Sequence, residues 1–133
     1  MILREYDADD KLLPDVLGFV EAELEKLDCP MKVQTQLAIA VEELFVNIAH
    51  YAYDGKPGKM QLGLLPIDGG VSLRFSDHGM PFDPTARKDP DITLPAEERD
   101  VGGLGILMVK KTMNSVDYKY ENGQNILTLT KLF

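Results

Sequence analysis

Over residues 36–53 the apolar positions recur at helical spacing. At about 100° per residue Leu37, Val41, Leu44, Phe45, Ile48 and Ala52 gather into one stripe, and Glu43, Asn47 and His50 gather on the far side. The stripe predicts a long helix over about 31–53, stopped by the breakers of Asp54-Gly55-Lys56-Pro57-Gly58. Ahead of it a β-prone run, 2–6, leads into a helix with apolar positions Leu12, Leu13, Val16, Leu17, Val20 and Leu24. Asp9 and Asp10 place negative charge at the start of that helix, and Leu27-Asp28-Cys29-Pro30 breaks it. Further on, 60–65 and 71–76 read as a hairpin joined across 66–70, with Val71, Leu73 and Phe75 alternating with Ser72, Arg74 and Ser76. An apolar helix over 106–113 is opened by Gly102-Gly103-Leu104-Gly105 and carries Lys110 and Lys111 near its C-terminus, as the helix dipole prefers. A second hairpin, with Val116, Tyr118 and Tyr120 alternating with Asp117, Lys119 and Glu121, turns at Asn122-Gly123 into 125–133. Helices followed by antiparallel strands predict an α+β fold, a two-layer sandwich whose mixed, mainly antiparallel sheet carries its helices on one face.

Several positions resist this pattern. Glu43 and Asn47, one helical turn apart, put a carboxylate and a carboxamide on one face, a pairing that can hold a hydrated divalent cation and activate a hydroxyl beside it. Glu42, about 100° round the helix from Glu43, reads as solvated. Asp77 continues the phase of Val71, Leu73 and Phe75, so its carboxylate points to the apolar side and needs a hydrogen-bond donor from the protein or a ligand. From 78 to 101 no periodicity is sustained, and Pro81, Pro84, Pro90 and Pro95 stand among charges of both signs; so long a loop reads as a lid or a disordered segment.

Composition narrows the function classes. The 133 residues fit one domain, 1–133, and the 44% hydrophobic, 27% charged make-up is that of a soluble globular protein. No run approaches a membrane span, and the start of the chain turns acidic at once and lacks the apolar core of a secretory signal, so a cytoplasmic location is expected. A formal charge of −8 repels phosphate backbones and excludes nucleic acid as a direct partner; a free nucleotide would need a metal ion and backbone N–H donors to offset it. The single cysteine, Cys29, forms no intramolecular disulfide and reads as a packing residue.

Each of these motifs alone is met more often in ordinary structure: a Glu/Asn pair on a solvated face, a Gly-Gly-Leu-Gly that permits tight packing. Their order is more telling. Glu43 and Asn47 on a helix, Asp77-His78-Gly79 ending a strand, a long lid, and Gly103-Leu104-Gly105 at a helix N-terminus make four parts of one nucleotide site. Asp77 would accept from an exocyclic amine of adenine while Gly79 lets the backbone pass close to the ring, and Gly103 and Gly105 would present N–H groups to phosphates. Asn47 would coordinate Mg²⁺ and Glu43 would accept a proton from an attacking hydroxyl or water.

These residues resemble a known family. Glu43-Leu44-Phe45-Val46-Asn47 with Tyr51-Ala52-Tyr53 is similar to the N box of the GHKL (histidine-kinase-like) ATPases, and 77–84 and 102–106 are similar to their first and second glycine boxes. The form is most similar to the anti-sigma regulatory factors with serine/threonine protein kinase activity. That resemblance implies a Bergerat-type ATP site with Glu43 as general base, Asn47 as Mg²⁺ ligand, Asp77 as the adenine-binding carboxylate, Gly79, Gly103, Leu104 and Gly105 shaping the pocket, and Asn125 near adenine. It also implies ATP and Mg²⁺ as cofactors and a homodimer that sequesters a sigma factor and phosphorylates a serine on a STAS-type anti-anti-sigma partner. The chain departs from the widespread first box at Pro81, where a second glycine is usual, which implies a stiffer lid base. His50 and His78 read as surface residues, and Arg87, Lys88 and Arg99 as lid cations that either approach the phosphates or remain solvated.

Two functions of different class are consistent with this site, a serine kinase and a non-catalytic switch that binds ATP and a protein partner. Glu43 beside Asn47 favours the first; position alone says nothing about turnover.

Overall fold

The computed structural model describes residues 1–86 and 103–133. Strand β1 (Ile2–Asp7) and a short 3-10 turn (Asp10–Leu12) precede helix α1 (Leu13–Lys26), and α2 (Met31–Asn47) continues directly into a π-helical turn, Ile48–Ala52. Strands β2 (Lys59–Ile67) and β3 (Gly70–Asp77), a 3-10 turn (Pro84–Ala86), helix α3 (Gly103–Thr112) and strands β4 (Ser115–Glu121) and β5 (Gln124–Leu132) follow.

Local chemistry accounts for most boundaries. The Asp9 carboxylate accepts from the Lys11 amide at 3.0 Å and caps the 3-10 turn, and Pro14 occupies the first turn of α1, where its missing N–H costs nothing. Asp28 takes the left-handed conformation (φ 54°) that ends α1, and Pro30 starts α2. Asn122 and Gly123, both at positive φ, make the two-residue turn between β4 and β5 that their sequence predicts. The first hairpin is tighter than the expected loop 66–70, because β2 runs on through Ile67 and β3 starts at Gly70, leaving only Asp68 and Gly69 to turn.

The five strands lie in the order β1-β2-β3-β5-β4, and every pairing is antiparallel, not mixed as the sequence predicts. A single helix between neighbouring strands makes them parallel; here two helices, α1 and α2, return the chain to the end it left, so β2 runs against β1. Met60, Leu62 and Leu64 of β2, Val71, Leu73 and Phe75 of β3, and Leu127 and Leu129 of β5 face the helices and are buried with Val16, Val20 and Leu24 of α1, Leu37, Val41 and Phe45 of α2 and Ile106 and Val109 of α3. Cys29 is buried in the same core. Among the described residues no helix is long and apolar enough to cross a membrane.

Candidate nucleotide site

The topology brings four segments to one end of the sandwich: the C-terminal half of α2 with its π-turn, the end of β3, the start of β5 and the first turn of α3. Asp77 and Asn125 are direct partners in the β3–β5 register, so both side chains project to the helix side, and both are buried. The Asp77 carboxylate has the donors its position demands. Its Oδ1 accepts from the Gly79 amide at 2.8 Å and from the Asn125 amide at 2.9 Å. Leu44, Asn47, Ile48 and Ala52 from α2 and the π-turn, Phe75 and Asp77 from β3, Met80, Phe82 and Pro84 beyond it, and Tyr118, Asn125 and Leu127 enclose an apolar slot.

The slot holds about 40 Å³ and opens past Phe82 and Pro84 into a cleft of about 930 Å³ lined by Asn47, His50, Tyr51, Asp54 and Ile106 among others. Asn47 borders both spaces. It therefore stands where the buried part of a ligand would join its solvent-exposed part. Glu43 lies one turn earlier on the same face and is half-buried, with Glu42 exposed as expected. Burial first, and the neighbouring Glu42 second, pushes the Glu43 carboxyl above the usual carboxylate range, which makes its ionised form a stronger proton acceptor than an ordinary carboxylate. Its carboxylate packs on the first turn of α3, so close that a Cβ on Gly105 would lie 2.1 Å from it. Gly103 opens that helix; the Leu104 side chain, Arg87, Lys88, Arg99 and the lid beyond residue 86 lie outside the described residues.

The segment after β3 is held from two sides. On the helix side the Met80 amide donates to the Ala52 carbonyl at 2.9 Å, and a Cβ on Gly79 would meet that carbonyl oxygen at 2.2 Å, so this glycine is required by a protein contact. Ala52 is the last residue of the π-turn, so its carbonyl, like the other final carbonyls of a helix, is left to accept from outside the helix, here from Met80. The Tyr53 hydroxyl accepts from the His78 amide at 3.0 Å and donates to the Lys59 carbonyl, tying the start of β2 to the residue next to Asp77. Burial pushes the Tyr53 phenol up, which keeps that hydroxyl a donor at neutral pH. Beyond this point the Asp83 carboxylate accepts from the Thr85 amide (2.8 Å) and hydroxyl (2.5 Å), shaping the 3-10 turn that follows Pro81.

His50 is exposed and sits 3.0 Å from Asp10, a surface pair that ties the π-turn to the turn before α1; the His78 side chain is also exposed. Tyr53, Phe82 and Pro84 stand in the boxes quoted from the sequence but had no role of their own there, and Tyr118 was not singled out for the site at all. Tyr118 carried a usable signal of another kind, its place on β4 opposite the buried Leu127 of β5.

A model of the histidine kinase-like ATPase domain matches residues 6–131 of this sequence. The chain belongs to that family. Among curated members, this histidine kinase-like ATPase domain is 29% identical over 100 residues to the serine/threonine-protein kinase BtrW of Bordetella bronchiseptica, covering 74% of the chain and 70% of the relative. It is 30% identical over 96 residues to the serine-protein kinase RsbW of Listeria monocytogenes, covering 68% of the chain and 61% of that protein. The fold matches a Mycobacterium tuberculosis protein with RsbU and RsbW domains (TM-score 0.63, 17% identity, 99% of this chain and 32% of that one). It also matches the Acinetobacter baumannii histidine kinase AdeS (TM-score 0.51, 15% identity, 99% and 68%).

Proposed function

We propose that this domain is an ATP-binding anti-sigma regulatory factor with serine/threonine protein kinase activity, which phosphorylates a STAS-type anti-anti-sigma partner and, as a homodimer, sequesters a sigma factor. The observation that carries the reading is that Asp77 and Asn47 line one slot, that Asn47 also borders the cleft beside Ile106 of α3, and that Glu43, one turn before Asn47 and outside the lining of both spaces, packs on the first turn of α3 at Gly105. The relatives named as serine kinases support the choice of reaction.

In this reading the purine enters the slot by turning Phe82 and Pro84 aside, and its 6-amino group donates to Asp77. Of the two carboxylate oxygens, Oδ1 already has two donors and Oδ2 has none among the described residues, so Oδ2 is the oxygen left for a ligand. The phosphates run along the cleft to the N–H groups of the Gly103–Gly105 turn, where the helix dipole favours negative charge.

The donor set fits Mg²⁺ that arrives with the nucleotide. Among the described residues no cluster of three His, Cys, Asp or Glu side chains could hold a resident ion, whereas a lone carboxamide at the slot's mouth suits a cation that takes its other ligands from phosphates and water. Asn47 would hold it, and when bound it would neutralise charge on the phosphates. Glu43 takes the proton of the partner's serine hydroxyl as the new O–P bond forms and the bond from the γ-phosphorus to the bridging oxygen breaks, releasing ADP.

Incubation with γ-labelled ATP and candidate STAS-domain proteins tests the reading: label on a partner serine is expected. A stable unlabelled complex would overturn the kinase assignment in favour of a binding switch. In calorimetry Asp77→Asn should weaken Mg²⁺-ATP binding at least tenfold, since one charge-assisted hydrogen bond contributes about 1.5–3 kcal/mol; unchanged affinity would refute the adenine assignment.

A further inference from the structure

Asn125 uses its whole hydrogen-bonding capacity on the protein. Its Nδ2 donates to Asp77 Oδ1 (2.9 Å) and to the Met80 carbonyl (2.8 Å), with the Gly79 carbonyl farther off at 3.4 Å. Its Oδ1 accepts from the Phe82 amide (3.0 Å) and the Tyr118 hydroxyl (2.5 Å). A carboxamide has two N–H donors and two lone pairs, and here all four are engaged. The orientation is not interchangeable either. A flipped amide would set its NH₂ against the Phe82 N–H and its oxygen against a carboxylate and a carbonyl.

We propose that Asn125 is a positioning residue: it holds the Asp77 carboxylate and the Gly79–Phe82 backbone in one fixed arrangement and makes no bond of its own to the nucleotide. The inference rests on the reading that Asp77 receives the purine 6-amino group. Three of the five partners of Asn125 belong to the chain just after β3, and a fourth is Asp77 itself, so one side chain on β5 fixes both the direction of the carboxylate and the path of the lid base. The cross-strand register makes this possible, because Asn125 faces Asp77 directly and Tyr118 reaches it from the next strand. An asparagine in this state offers a purine nothing unless it releases a protein partner, and each release leaves a buried polar group unpaired.

Two measurements separate positioning from direct contact. Residue-resolved hydrogen exchange on the ligand-free protein should show the Phe82 amide exchanging at least tenfold faster in Asn125→Leu than in wild type; equal rates would overturn the proposal. Calorimetry should then compare ATP with purine riboside triphosphate, which lacks the 6-amino group. Positioning through Asp77 predicts that Asn125→Leu loses affinity for ATP alone, so that the wild-type preference for ATP collapses toward that of Asp77→Asn. An equal loss for both nucleotides, with the preference intact, would mean that Asn125 touches the ring and would also overturn it. Tyr118→Phe, which removes one of the four bonds and leaves Asn125 in place, should lower the preference for ATP in the same direction by a smaller factor; because the Tyr118 hydroxyl also interacts with the Phe82 amide, that preference and not the exchange rate serves if Asn125→Leu does not fold, and an unchanged preference would then overturn the proposal. If wild type shows no preference for the 6-amino group, it is the adenine reading that fails, and Phe82 exchange alone decides whether Asn125 fixes the segment.

Discussion

A Cβ on Gly105 would lie 2.1 Å from both Cδ and Oε2 of Glu43, so the proposed base and the first turn of α3 are packed without room for a methyl group. Gly105→Ala must therefore push the Glu43 carboxylate aside, and a flexible glutamate can yield without unfolding the helix. Alanine also gains about 0.5–1 kcal/mol of helix propensity over glycine, which offsets the local crowding. The expected outcome is a melting temperature within a few degrees of wild type and a phosphotransfer rate lower by about 10²-fold, as for a catalytic group moved by about 1 Å. Parallel thermal melts and single-turnover transfer from labelled ATP check it; full activity would show that Glu43 need not sit where it does.

The raised pKa of Glu43 gives a pH dependence of defined sign. As a base it works only when ionised, so transfer should climb with pH through a midpoint above the ordinary carboxylate range. Burial is the larger cause and Glu42 the second, so Glu42→Gln should move that midpoint to lower pH without abolishing it. Stability runs the opposite way. A carboxyl whose folded pKa exceeds its unfolded value contributes fully below the unfolded pKa, and that contribution is lost as pH rises through the folded one. Glu43→Gln should hence gain stability relative to wild type as pH rises from about 4 to 7, while transfer falls by about 10²–10⁴-fold. Chemical denaturation at both pH values and a rate–pH profile measure the two signs independently.

Much of this end of the molecule could be read from residue order. Helical periodicity put Glu43 and Asn47 on one face, and strand phase put Asp77 on the helix side, because both depend on local geometry that the chain carries in itself. The same phase argument located the need for donors at Asp77 without naming them. The donors come from Gly79, two residues on, and from Asn125, forty-eight residues away across a register that no local pattern encodes. The π-turn was equally illegible. Residues 48–52 continue the apolar stripe of a regular helix, and that stripe does not distinguish one ladder from the other. Gly79 shows the limit most plainly: a glycine expected to make way for a ring makes way first for a backbone carbonyl of the same protein.

Tyr53 closes the helix side of the site as Asn125 closes the sheet side, and its hydroxyl can be removed with little change of shape. The His78 amide and the Lys59 carbonyl would each lose a partner in Tyr53→Phe. Both residues are exposed, so water replaces much of what is lost, and the cost should stay near one ordinary hydrogen bond, about 1 kcal/mol. The ring remains, and with it the packing that forbids a Cβ on Gly58, which would come within 2.3 Å of the aromatic carbons. The functional effect should exceed the stability effect. His78 adjoins Asp77, and with its amide untied the end of β3 can shift relative to α2, which loosens the carboxylate without touching any ligand atom. Calorimetry should show Mg²⁺-ATP affinity lowered several-fold, with the loss carried by the 6-amino group when ATP is compared with purine riboside triphosphate. If Tyr53→Phe costs stability but leaves both affinities and their ratio unchanged, the hydroxyl supports the hairpin alone and Asp77 is held sufficiently by Gly79 and Asn125.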